Sequence, residues 1–244
     1  MMKYLFVTDL DNTLVGDESG TLLLNHYLNN RREQFYIVYA TGRSYDSANQ
    51  LMLQEKLLEP DYWVVSVGSE IYHQDRLDLD WATHLSDDWD RNVVEAIAQS
   101  FPFLTLQPYE EQNPWKVSFF VEPGVTQKHI QELKKELKPT RLKTQIIFSS
   151  GRDLDILPAR GNKGNAIAYL QACLSVSPES TLVCGDSGND ISLFQQPGKG
   201  VIVSNAQEEL LDWYFQTRKD TLYLSQSPYA HGILEALKHY QFLG

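Results

Sequence analysis

Apolar and polar positions follow two different rhythms along this chain. In the first, short runs rich in strand formers are separated by stretches with apolar residues at helical spacing. YLFVT (residues 4–8), FYIVYA (35–40) and YWVVSVG (62–68) are the strand-like runs. Leu24, Tyr27, Leu28 and Arg31 set a helix over residues 22–32, and residues 45–58 read as a second. Near-continuous apolar strands alternating with helices predict a parallel sheet covered on both faces.

From residue 69 to residue 160 the rhythm changes. A helix over 87–100 precedes a mixed-face strand over 115–121. A strongly polar helix follows over 126–137, with Ile130, Leu133 and Leu137 on one side. Residues 144–150 and 154–158 read as paired strands around a turn. The first rhythm resumes at Gly161, with helices over 163–173, 191–195, 207–215 and 230–239 and strands over 181–185 and 200–204. The expected fold class is α/β, a Rossmann-like parallel-sheet core made of residues 1–68 and 161–244. An α+β cap, residues 69–160, is inserted between its third and fourth strands. No internal repeat, low-complexity tract or long linker interrupts this pattern.

Composition narrows the setting. A chain of 244 residues, 42% hydrophobic, is long enough for a large core plus an insert. Its 32 acids against 21 bases give a net charge of −11, which repels nucleic acid and anionic lipid. An anionic substrate stays open, provided local cations offset that field. Cys173 and Cys184 lie in apolar surroundings and are expected as buried free thiols. No signal-peptide pattern precedes the strand at Tyr4, and no apolar run is as long as a membrane span, so a cytoplasmic protein is expected.

Three core strands end in polar signals: Asp9 and Asp11, then Thr41, then GDSGND (residues 185–190). Ligands bind at the carboxyl ends of strands in open parallel sheets. If these strands are neighbours, Asp9, Asp11, Thr41, Asp186 and Asp190 converge, and four carboxylates together raise some of their own pKa values or recruit a cation. Oxygen-only ligands suit a hard divalent ion, magnesium (Mg2+) first. Residues two apart on a strand point the same way, so Asp9 and Asp11 address one centre. Gly16, Gly185 and Gly188 permit close approach of backbone N–H groups to an anion. Lys163, at the start of its helix, adds a cation. Acids, metal, lysine, threonine hydroxyl and glycine-rich backbone together describe a phosphoryl site.

DLDNT, ATGR, the isolated Lys163 and GDSGND resemble, in order, the four motifs of the haloacid-dehalogenase-like phosphatases. The insert resembles the α/β cap of their sugar-phosphatase branch. SVGSEIY, NPWKVSFFV, LDILPARGNKGNAIAYL, LVCGDSGND and VIVSNAQEELLDW resemble the sucrose-phosphate phosphatase family, so that the likeness covers nearly the whole chain.

That resemblance implies hydrolysis of sucrose-6-phosphate, the last step of sucrose synthesis, through an aspartyl-phosphate on Asp9. Asp11 would protonate the leaving sugar oxygen and then activate water. Asp186 would hold the metal with Asp9 and the Asp11 backbone carbonyl, while Asp190 holds a metal-bound water or orients its neighbours. Thr41, Gly42, Lys163 and Asn189 would bind or orient the phosphoryl group. Arg43 would touch phosphate or sugar, or brace the cap. Glu70 and Lys116 are the expected sugar-binding residues, with Trp115 and Tyr72 behind them, and Gly68 and Gly161 are expected beside the cap hinges. The implied partners are the sugar-phosphate substrate and the upstream sucrose-phosphate synthase, with the protein acting as a monomer. Alternatives left open are a phosphatase for trehalose-6-phosphate or glucosylglycerol-phosphate, and a sugar phosphotransferase or mutase. A phospho-accepting signalling receiver fits neither the length nor the insert, and a pure carbohydrate-binding module leaves the acids unexplained.

Overall fold

The structure is a computed structural model and describes residues 3–242. The first part of the chain supplies β1 (Tyr4–Thr8), β2 (Phe35–Ala40), β3 (Tyr62–Val65), β4 (Glu70–His73) and β5 (Arg76–Leu77). The insert supplies β6 (Leu104–Leu106), β7 (Val117–Val121), β8 (Thr144–Ser149) and β9 (Asp153–Pro158). The returning chain adds β10 (Thr181–Gly185), β11 (Lys199–Ile202) and β12 (Leu222–Leu224). Between them run α1 (Glu18–Asn29), α2 (Tyr45–Gln54), α3 (Leu79–Ser86), α4 (Arg91–Ala98), α5 (Gln127–Leu137), α6 (Lys163–Leu174), α7 (Ile191–Gln195), α8 (Glu208–Thr217) and α9 (Tyr229–His239).

Eight strands form one sheet in the order β12-β11-β10-β1-β2-β3-β4-β5, parallel from β12 to β3 and antiparallel beyond. Side chains alternate across it. Leu5 and Val7 of β1 join Ile167 and Leu170 of α6 and Phe194 of α7 on one face. Phe6 joins Leu24 and Leu28 of α1 and Ile233 and Leu237 of α9 on the other. The parallel sheet covered on both faces, and the insert between its third and fourth parallel strands, are as the sequence predicts.

The insert is a four-stranded antiparallel sheet, β6-β7-β9-β8. Val117, Phe119 and Val121 face Val94 of α4 and Ile130, Leu133 and Leu137 of α5, forming a separate apolar cluster. Ser118 and Phe120 alternate with them and lie on the opposite face, the one that meets the core.

Residues 70–86 depart from expectation. β4 and β5 extend the core sheet, and Trp81 and Leu85 of α3 are buried in the core cluster with Ile71. The packing therefore puts the crossing into the insert after Ser86, not at Ser69. β3 also stops early, because Ser66 and Val67 take left-handed backbone (φ 51° and 61°). At the first helix the side chain of Asp17 caps Gly20 N–H, so α1 begins four residues before the periodicity shows it. Left-handed Lys56 (φ 53°) follows the early end of α2. Both cysteines are free, but only Cys184 is buried; Cys173 is exposed on α6. Gly68 is a notch in the core, not a free hinge. At φ +95° it abuts the start of α6, where an added Cβ would lie 2.3 Å from the Asn162 carbonyl carbon. Gly161 packs against Leu85, 3.4 Å from where its Cβ would be.

If α3 belongs to the core, Leu85→Ala opens a cavity there. We expect urea unfolding to show a loss of about 2–5 kcal/mol; a loss below about 0.5 kcal/mol would return α3 to the insert.

Candidate active site

The parallel pairing of β1 with β10, in register from Leu5 opposite Thr181 to Thr8 opposite Cys184, sets the ends of the two strands side by side. Asp9 N–H continues the ladder by donating to Cys184 O at 3.0 Å. Carboxylate oxygens of Asp9, Asp186 and Asp190, all buried, lie within 4.8 Å of one another. Lys163 enters from the first turn of α6, whose start is fixed by Asn162 accepting from Asn165 N–H at 2.8 Å. Its Nζ, with no solvent exposure, donates to Asp9 Oδ1 at 2.9 Å and to Asp190 Oδ1 at 2.6 Å. The other Asp190 oxygen accepts the backbone N–H groups of Asp186 and Ser187 at 3.0 and 3.1 Å. Asp190 thus shapes its loop and anchors Lys163, with both oxygens engaged. Gly185 has to be glycine here: a Cβ would come within 2.6 Å of the Asp190 carboxylate.

Thr13 donates to Asp186 Oδ1 at 2.8 Å, a contact no sequence pattern announced. Thr41 is buried with Gly42 on the wall of the same cavity, about 550 Å3 in volume, and Asn189 lines it as well. Asp11 does not join the other acids. Its half-exposed carboxylate is held in a two-point pair by Arg43, Nε to Oδ2 and Nη2 to Oδ1 at 2.7 Å each. Those hydrogen bonds, beyond the opposing effect of burial, hold the guanidinium above its ordinary pKa. Arg43 also donates to Ser47 at 2.9 Å, so its contacts here are with protein side chains. Of the four acids expected around a metal, three come together and the Asp11 side chain stands aside.

Charge in this cluster is unbalanced. Burial, and then the neighbouring carboxylates, push Asp186 up to about 8. Burial pushes Asp9 up to about 7, against the pull of Lys163. Burial works against the Lys163 ammonium, but Asp190 and Asp9 outweigh it and keep it protonated.

From the insert, Lys116 reaches the same cavity, buried at 2% exposure, its Nζ 3.7 Å from Asp155 Oδ1. Ser118 donates to that oxygen at 2.6 Å. Glu70 and Tyr72 line an adjoining cavity of about 1050 Å3 that shares Ser47, Gln107 and Glu111 with the first. Burial raises the Glu70 carboxyl, offset in part by hydrogen bonds from Asn113 and Ser66 and by the charge of Lys116. Trp115 is structural: its Nε1 donates to Ser86 and its ring packs on the core cluster. Gln107, Glu111, Arg152, Asp153 and Asp155 also line the reaction cavity and were missed from sequence. Asp155 carried a signal, an acid between Leu154 and Ile156 in an apolar strand; Gln107 and Glu111, in an irregular segment, carried none.

A family profile described as sucrose-6F-phosphate phosphohydrolase matches residues 2–241. The chain belongs to this family. It is 52% identical to a solved sucrose-phosphatase from Synechocystis sp. PCC6803, in complex with sucrose and phosphate, with full coverage of both chains and a TM-score of 0.97. Sucrose-phosphatase 1 of Nicotiana tabacum is 41% identical over 98% of this chain, but the chain spans only 59% of that relative's length. Mannosylfructose-phosphate phosphatase of Agrobacterium fabrum (strain C58) is 30% identical, covering 97% of this chain and 96% of its own. More distant haloacid-dehalogenase-like structures share the fold, a Rossmann-like core with an inserted cap.

For a member of this family the cluster can be tested as a metal site. All its donors are oxygens, as a hard divalent cation requires. Asp186 keeps one carboxylate oxygen with no hydrogen-bond donor among the described residues. Asn189 Oδ1 is buried without a partner, an acceptor placed for a donor such as cation-bound water. The residues fit.

In metal-free protein, folded Asp9 and Asp186 keep protons that the unfolded chain releases near pH 4. The stability they contribute is therefore lost as pH rises toward about 7 and about 8. We expect the melting temperature in EDTA to fall from about pH 5 to about pH 8, and the gain on adding magnesium to grow over that interval. A magnesium effect independent of pH would place the cation elsewhere.

Proposed function

We propose that this chain hydrolyses sucrose-6-phosphate to sucrose and phosphate with magnesium, through a phosphoryl group carried briefly on Asp9. The observation that supports it most is the pairing of Asp9 with buried Lys163 at the foot of a cavity whose other wall is the polar face of the inserted sheet. The Synechocystis relative, described with sucrose and phosphate, supports the choice of sugar.

The free oxygen of Asp9 attacks phosphorus in line, while its other oxygen stays on Lys163. Lys163 and the Thr41 hydroxyl, with Gly42 and Asn189 beside them, hold the non-bridging oxygens. Asp186, with the Asp9 oxygen that does not attack, would hold a magnesium ion, which would supply positive charge to the phosphoryl group. Asp11 gives a proton to the departing sugar oxygen and then takes one from the water that cleaves the acyl-phosphate. A protonated carboxyl cannot accept two guanidinium donors as a carboxylate does. The Arg43–Asp11 pair therefore belongs to the half of the cycle in which Asp11 is the base, and Arg43 orients it. Lys116 and Glu70, beside Asp155 and Ser66 respectively, are the sugar-binding side chains in this reading, and Glu111 and Gln107 extend that wall.

The same reading places the protein in the cytoplasm as a monomer that takes its substrate from sucrose-phosphate synthase. Its acidic surface supports partners other than nucleic acid or anionic lipid, and no helix among the described residues is long and apolar enough to cross a membrane.

A phosphate-release panel tests the assignment. Sucrose-6-phosphate should be turned over faster than glucose-6-phosphate, trehalose-6-phosphate, glucosylglycerol-phosphate and mannosylfructose-phosphate. The Agrobacterium relative makes the last of these the rival that matters. Asp9→Asn should stay folded, with Asp190 still pairing Lys163, and lose activity by about a thousandfold or more. Retained turnover would move the nucleophile. Lys116→Met should raise KM for sucrose-6-phosphate about tenfold with little change in kcat, as expected for lost ground-state binding; an unchanged KM would remove Lys116 from the sugar site.

A further inference from the structure

Glu209 takes no part in the chemistry above, yet its carboxylate joins the two halves of the molecule. It lies in the first turn of α8, on the core. Its Oε1 accepts the Ser150 backbone N–H at 2.9 Å, from the tip of the β8–β9 hairpin of the insert. The same oxygen accepts the Gly188 backbone N–H at 3.3 Å, from the loop between Asp186 and Asp190. The hairpin tip turns through left-handed Ser150 and Gly151, at φ 54° and 63°. The tip's Ser149 and Ser150 line the reaction cavity.

Hairpin and loop are in direct contact. A Cβ on Gly188 would sit 2.8 Å from the Phe148 carbonyl oxygen and 3.0 Å from Glu209 Cγ. No side chain fits between the loop that carries Asp186, Asn189 and Asp190 and the hairpin that walls the substrate space. Another tie between core and insert, Asn162 to Gln145 at 3.1 Å, joins two neutral amides beside the returning chain crossing. Glu209 places a charged acceptor at the far end, where a small rotation of the insert produces the largest displacement. Hydrogen bonds to an ionised acceptor are about twice as strong as neutral ones.

We propose that Glu209 is a positioning residue that pins the tip of the insert to the catalytic loop. It holds Lys116 and its neighbours over the ester while the loop keeps its shape. The inference rests on the sugar-phosphatase reading, because only a substrate that needs both walls feels the pin.

Two esters separate this role from simple bracing of the loop. p-Nitrophenyl phosphate presents the phosphoryl group without a sugar to be held. Glu209→Ala should raise KM for sucrose-6-phosphate about tenfold, with kcat/KM for the aryl ester within about twofold of the parent. Hydrogen exchange at the Ser150 and Gly188 amides should quicken. Equal losses on both esters would reduce Glu209 to a local brace, and no loss on either would leave the contact without a role. If the alanine variant does not fold, Glu209→Gln decides by the same ratio, with a smaller rise expected. Should the parent prefer another sugar ester, that failure appears in the parent's own panel, and the Glu209 comparison is run with the preferred ester.

Discussion

A lysine with no solvent exposure, held between two carboxylates, is the interaction on which the rest of this structure depends. Lys163 meets Asp9 from β1 and Asp190 from the loop after β10, so one ammonium ties three distant segments together. Truncating one partner of such a pair leaves an uncompensated charge in the interior, typically a cost of about 3–5 kcal/mol. The surroundings are built to this end. Asn162 caps the helix so that Lys163 falls in its first turn. Gly68 gives up its side chain so that the backbone before that helix can press against the core. The triad leaves one Asp9 oxygen without a hydrogen-bond donor among the described residues.

The fold resolves an electrostatic conflict. A chain with a net charge of −11 is a poor place for a phosphate ester. Three cations are instead gathered in or beside the cavity: Lys163 between Asp9 and Asp190, Lys116 on the insert, and Arg43 beside Asp11. Each is matched to a carboxylate, yet the cavity lining still carries more acids, Asp9, Asp11, Glu111, Asp153, Asp155 and Asp186, than bases. The insert contributes through its strand alternation. One face of its sheet carries the apolar cluster under α4 and α5, and the other is left free to present Ser118 and Asp155 to the core.

The catalytic half of the site was legible in the sequence because its chemistry sits at strand ends, where an apolar run stops at an acid or a threonine. Asp9, Thr41 and Asp186 carry that punctuation, with Asp190 in the loop that follows, and the parallel sheet brings their strands to one edge; Lys163 arrives separately, at the start of α6. The side chain of Asp11 escaped the same logic. Two-residue spacing aims it at the centre, but the chain has left the strand by then and Arg43 captures it. β4, β5, β6 and β12 are two to four residues long, too short for periodicity to register. That brevity is why residues 70–86 read as insert, although Trp81 and Leu85 are buried in the core. On the sugar wall, Gln107 and Glu111 come from irregular backbone and are recruited by tertiary packing alone.

The inserted sheet also has a consequence for how the molecule comes into being. Its strands pair with near neighbours in sequence, whereas Asp9 and Lys163 are 154 positions apart and Thr13 and Asp186 are 173 apart. Contacts of high sequence separation carry the larger loop-closure cost and form late. During synthesis the insert emerges whole before β10 exists, so it can condense while β1 to β3 still wait for their central partner. The carboxylate cluster can close only once the loop after β10 is made, by which point the lysine that compensates it has been made as well. Asp186 and Asp190 are thus never made ahead of the ammonium that offsets them.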